Sequence, residues 1–123
     1  MEGDKTVWEL ISDALTENGI NNYPPGIKEG ECKTEYVVVK QDGGSQIGNI
    51  SSEVVYYMFM LYVPQNKYSY LSKFEEKVKK VLNDNLYPTI IPTGSKMSDY
   101  YDDNINAHMR SFTYRNSVRN SKL

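Results

Sequence analysis

The sequence has little of what enzymes and stapled secreted domains depend on. Its 123 residues hold one cysteine, Cys32, and one histidine, His108. A single thiol excludes an internal disulfide and any multi-cysteine metal site. Placed in a turn-rich stretch between Glu31 and Lys33, Cys32 reads as a spectator. An excess of charge is also missing. The formal net charge is −2, which gives no general attraction to nucleic acid or an anionic membrane. Basic residues gather only in the short tail, at Arg115, Arg119 and Lys122. No apolar run approaches the roughly 20 residues that a membrane-spanning helix needs. The opening MEGDKT has no apolar segment behind it, so the sequence predicts a soluble protein made in a reducing cytoplasm. Gly43, Gly44 and Gly48 match neither a dinucleotide fingerprint nor a phosphate loop, and no serine or cysteine lies in a nucleophile motif.

What the sequence does have is one dense stretch. Val54–Val63 reads VVYYMFMLYV, ten residues whose only polar atoms are tyrosine hydroxyls and thioethers, closed by Pro64. β-Branched and aromatic composition between turn residues predicts a strand. Alternation puts Val54, Tyr56, Met58, Met60 and Tyr62 on one face and Val55, Tyr57, Phe59, Leu61 and Val63 on the other. Both rows are apolar, so the strand is expected to be central and covered on both sides. The chain also carries 11 tyrosines, side chains suited to surfaces that are wet at one time and buried at another.

Around this strand the pattern predicts a single domain over residues 1–115 and a flexible polar tail over 116–123. Residues 6–18 form a helix, opened by a Thr6/Glu9 capping box and striped by Val7, Leu10, Ile11, Ala14 and Leu15, with Gly19 as its left-handed stop. Residues 20–33 form a linker, 34–40 a first strand, and 41–52 an extended loop. A second helix spans 67–83, burying Leu71, Phe74, Val78, Val81 and Leu82 and setting Glu75/Lys79 and Glu76/Lys80 pairs on its solvent face. Pro88 and Pro92 bracket a short edge strand at 89–91, a polar loop covers 94–106, and the last strand spans 107–115. The expected fold is α+β, in the order α-β-β-α-β-β, with a mostly antiparallel four-stranded sheet packed against two helices.

Chemistry is sparse. Asp99, Asp102 and Asp103 are oxygen ligands of the kind calcium or magnesium prefers, but their spacing is not that of an EF-hand, and acidic loops are commonly only solvated. A small metal-dependent enzyme using this loop and His108 is the remote alternative; otherwise no enzyme, metal or cofactor is expected. Binding has more support. If both helices cover the Val55/Tyr57/Phe59/Leu61 face, the Tyr56/Met58/Met60/Tyr62 row stays uncovered, and an apolar patch of that size marks an interface. If the helices divide between the faces, that row is ordinary core.

The order of segments resembles the tail terminator (tail completion) proteins of long-tailed bacteriophages. The likeness rests on Glu35-Tyr36-Val37-Val38-Val39-Lys40 before a glycine-rich turn and on the long apolar strand ending Tyr62-Val63-Pro64. It continues in the helix with Leu71, Phe74, Val78 and Leu82, and in Ala107-His108-Met109-Arg110-Ser111-Phe112-Thr113-Tyr114, and covers residues 6–115. The resemblance implies a structural virion protein that caps the head-proximal end of a tail tube as a hexameric ring. Such a ring halts tube growth and presents a surface to the head connector. The implied partners are copies of itself, the tube protein, the connector or neck protein and, in a contractile tail, the sheath; a neck protein of the same virion is the alternative role. A closed ring needs two complementary patches on each subunit. The candidates are the Tyr56, Met58, Met60 and Tyr62 row together with the loop residues Asp42, Gly43, Gly44, Tyr100, Tyr101 and Asp102.

Overall fold

The computed structural model describes residues 5–46 and 53–116, with backbone only at 44–46 and 53. The tip of the predicted 41–52 loop and the tail beyond Asn116 lie outside the described residues. Helix α1 spans Val7–Glu17. The Thr6 hydroxyl accepts from the Glu9 amide at 3.1 Å and Glu9 Oε1 accepts from the Thr6 amide at 2.8 Å, so the capping box closes as its spacing predicts. Ile11, Ala14 and Leu15 are buried. Gly19 takes φ 76°, which lets the Ile20 amide return to the Leu15 carbonyl at 2.9 Å.

The stretch expected to be a linker contains a strand, β1 (Asn22–Tyr23), parallel to β2 (Tyr36–Gln46). Two residues carry no periodicity. What holds them is local bonding: Ser12 donates to the Asn22 side chain at 2.6 Å, and the Val37 amide donates to the Asn21 carbonyl at 2.9 Å. Strand β2 pairs with β3 (Glu53–Pro64) in an antiparallel hairpin that runs well past the expected end at Lys40. Gln41-Asp42-Gly43-Gly44 is not a turn but a bulge inside β2. The register slips between Gln41 and Gly44, and Gly43 sits at φ 76°, a conformation glycine adopts without penalty.

After Pro64 the chain winds through two short 3-10 turns kinked at Lys67, together Gln65–Tyr70, before helix α2, Leu71–Leu86. The helix therefore begins and ends later than the 67–83 predicted; Lys67 at φ −121° breaks the regular turn ahead of it. All five predicted core residues of α2 are buried. Strand β4 (Ile90–Lys96) runs through Pro92, and β5 (Tyr100–Asp102) lies inside the expected loop. Strand β6 (Ala107–Asn116) closes the order β1-β2-β3-β6-β4, with β5 also on β6. The sheet has six strands where four were expected, the additions being the short β1 and β5. The single-domain α+β class holds, and β4 is an edge.

Both helices pack on the same side of the sheet and on each other. Their stripes meet Val37 and Val39 of β2, Tyr57, Phe59, Leu61 and Val63 of β3, and Phe112 and Tyr114 of β6. The rings of Phe59 and Phe112 stack at 5.4 Å. Trp8 sits at the margin of this core and donates its indole N–H to the Val39 carbonyl at 2.7 Å. Each large apolar side chain buried here contributes about 2–3 kcal/mol.

Candidate functional site: an open sheet face and a clamped arm

With both helices on one side, the second face of the sheet carries no helix among the described residues. Register places Tyr56, Met58, Met60 and Tyr62 of β3 on it, between Tyr36, Val38 and Lys40 of β2 and Met109, Ser111, Thr113 and Arg115 of β6. The expectation that β3 is covered on both sides fails here: Tyr56, Met58 and Met60 are only half-buried. The Ser111 hydroxyl, near the middle of this face, is buried without a hydrogen-bond partner among the described residues.

One end of the face is roofed. Cys32, Tyr36 and Ala107 form a second small core with Tyr23, Val38, Tyr62 and Ile105, tied by the Cys32 amide donating to the Ile105 carbonyl at 2.8 Å. Tyr62 stacks on Tyr36 at 5.0 Å. The open row is therefore Tyr56, Met58 and Met60, and Tyr62 belongs to a wall. Cys32, read from sequence as a spectator in a turn-rich linker, is a buried packing residue; burial pushes its thiol above its ordinary value.

Residues 97–106 form an arm at the same end. Met97 and Tyr100 are 60% and 58% exposed, yet the arm is fixed by charge. Arg110 on β6 grips Asp99 with two bonds, Nε to Oδ1 at 2.7 Å and an Nη to Oδ2 at 2.8 Å. The Tyr68 hydroxyl adds a third to Oδ2 at 2.6 Å. Arg110 also donates to Glu75 and to Ser72 of α2, each at 3.0 Å. Glu75 in turn is paired with Lys79 at 2.7 Å and Lys96 at 3.2 Å.

Such a forked, charge-assisted pair is stronger than a single-point surface contact. The hydrogen bonds from Arg110 hold Asp99 down to about 2 against the upward push of burial, with smaller help from Tyr68. Burial would raise the Glu75 carboxyl, but bonds from Lys79, Arg110 and Lys96 outweigh it and keep it below its ordinary value. Sequence placed Glu75 on a solvent face. Its partners from β4 and β6 turn it inward. The second expected pair, Glu76/Lys80, does not form, and Lys80 instead bridges Asp84 at 2.9 Å.

The aspartates of the arm do not converge. Asp99 is held by Arg110, Asp102 accepts from the Asn104 amide at 3.0 Å, and among the described residues no three His, Cys, Asp or Glu side chains could hold a metal ion. His108 lies between the rings of Tyr68 and Tyr101, at 4.7 and 5.0 Å, with Nε2 3.2 Å from the Gln65 carbonyl.

The candidate residues thus separate into groups. Tyr100 and Asp102 pair with Met109 and Ala107 and share the open face, whereas Tyr101 pairs with His108 on the helix side. Asp42, Gly43 and Gly44 lie at the other end of the sheet. Gly44 pairs with Val55 while Tyr100 is level with Tyr62 through Met109, a separation of about 23 Å at strand rise. Within one molecule the hairpin and the arm lie at opposite ends of the sheet and are separate patches. Arg110, the hub of the arm, was not among the candidates; only its pairing with a sequence-distant Asp99 reveals it.

Comparison of the chain with protein-family models and with curated protein sequences yields no match.

Proposed function

We propose that this chain is a ring-forming structural protein that caps the head-proximal end of a phage tail tube, stops its growth and joins it to the head connector. The observation that carries the reading is the sheet face on which no helix packs among the described residues, with Tyr56, Met58 and Met60 only half-buried at its centre. Tyrosine and methionine are types enriched in interface cores, and a face of this kind is a natural subunit contact. The polarity of the molecule supports the same reading. A terminator must meet a tube on one side and a connector on the other, and the hairpin around Gly43 and the arm around Tyr100 project from opposite ends of the sheet. A rigid arm also binds at lower entropic cost than a loose one, which gives the Arg110–Asp99 clamp a purpose.

Electron cryo-microscopy of the purified protein mixed with candidate tail-tube protein tests this. The expected result is a six-fold ring on one end of each tube, lost in Met58→Asp while that variant remains folded. Tubes of unlimited length with bare ends in the presence of excess protein would overturn the reading, and binding to isolated connector without tube would move it to a neck protein.

A further inference from the structure

A cleft of about 300 Å³ opens where residues 25–28 and the end of β5 lean over the roofed part of the sheet. Tyr36, Tyr62, Val38 and Met60 line it from the sheet and Asp102 from β5. The two phenol rings stack nearly parallel, 20° apart, and neither hydroxyl makes a hydrogen bond among the described residues. Asp102 Oδ1 accepts only from the Asn104 amide, and no cation pairs with the carboxylate among the described residues. Burial first, and then the charge of Asp102, push the Tyr62 phenol upward, so the carboxylate is within electrostatic reach of the ring. The chain already uses one part of the cleft in the way its chemistry suggests: Lys28 Nζ lies 5.2 Å from the centre of the Tyr36 ring, while donating to the Glu29 carbonyl.

We propose that this cleft is a receptor site for a basic side chain, an arginine presented by a protein partner that docks on the open face. Tyr36 is buried, stacked on Tyr62 and faced by Lys28, so the ring offered to an incoming cation is that of Tyr62. Aromatic faces attract cations through the ring quadrupole, and Asp102 supplies the counter-charge. Arginine fits better than lysine because its planar fork stacks on a ring while donating to a carboxylate. A peptide-borne cation fits better than a free one, because the cleft is continuous through Met60 with the half-exposed Met58 and Tyr56, which accept the rest of a docking segment. The inference stands on the cleft and holds or fails apart from the ring reading.

The test is titration of protein carrying ¹³C-methyl methionine with the peptide acetyl-Gly-Arg-Gly-amide. Acetyl-Gly-norleucine-Gly-amide and tetramethylammonium are titrated in parallel. The Met60 methyl signal is expected to move saturably with millimolar arginine peptide, while that of Met97, outside the cleft, stays in place. Asp102→Asn, whose side-chain oxygen still accepts from Asn104, is expected to weaken binding about fivefold, and Asp102→Glu to restore part of it. Equal binding by the norleucine peptide, tighter binding of tetramethylammonium, no saturable Met60 shift, or an unchanged Asp102→Asn each overturns the proposal.

Discussion

Replacing Asp99 with asparagine removes one charge from the Arg110 fork while leaving the arm's shape almost unchanged. The lowering of the Asp99 carboxyl from 3.8 to about 2 corresponds to about 2.4 kcal/mol at 1.36 kcal/mol per pH unit. Its side chain is 27% exposed, and solvent screening reduces the usable part to about 1–1.5 kcal/mol. For a domain of this size that is a melting temperature lower by about 4–7 °C at pH 7. Because the folded carboxyl lies below its unfolded value, the stabilisation is complete by about pH 5 and is mostly lost as the pH falls through about 2. The assay is thermal melting of both proteins across pH 2–7, with amide hydrogen exchange over residues 97–106. Wild type and variant should differ at neutral pH, converge near pH 2, and show faster exchange in the variant's arm. Equal melting at pH 7, or a difference that persists undiminished at pH 2, would refute the account of the clamp.

Phe59→Ala, at the centre of the covered face and fully buried, should cost about 3–5 kcal/mol in urea unfolding; a loss under 1 kcal/mol would mean the core lies elsewhere. Tyr56→Asp and Met58→Asp, on the helix-free face, should cost the monomer only about 1 kcal/mol and abolish self-association in sedimentation experiments. Wild-type-like oligomers would place the subunit contact elsewhere. Trp8→Phe keeps an aromatic ring at the core margin but deletes the bond to Val39 and part of the packing, with an expected loss of about 1–2 kcal/mol; no change in the unfolding midpoint would show the bond to be idle.

The parts of this fold legible in sequence are those with an uninterrupted period. Strand β3 shows itself by composition, and α1 and α2 by stripes that the structure buries residue for residue, save the half-exposed Val7 and Leu10. Strands β1 and β5, of two and three residues, are too short for alternation to register; they exist because neighbouring strands offer them partners. Gly43-Gly44 reads as a turn because glycine is permissive at turns and bulges alike. Glu75 misleads for a related reason: its i,i+4 spacing to Lys79 is local, whereas Lys96 and Arg110 arrive from distant strands. In the candidate site the alternation of β3 fixed which residues share the open face. That Tyr100 joins them while Tyr101 turns away depends on the pairing of β5 with β6, which no local pattern encodes.

The indole of Trp8 on Val39 has a consequence for how this protein avoids becoming a fibre. Strand β2 is eleven residues long, but β1 shields only the first part of its outer side, and an exposed row of amides and carbonyls there would recruit further chains. Helix α1 reaches over and takes the next carbonyl, so a foreign strand must first evict a helix packed in the main core. Across the sheet, Pro92 and the slipped register of β4 spoil the opposite rim. A molecule proposed to end one polymer thus carries features that discourage its own sheet from starting another.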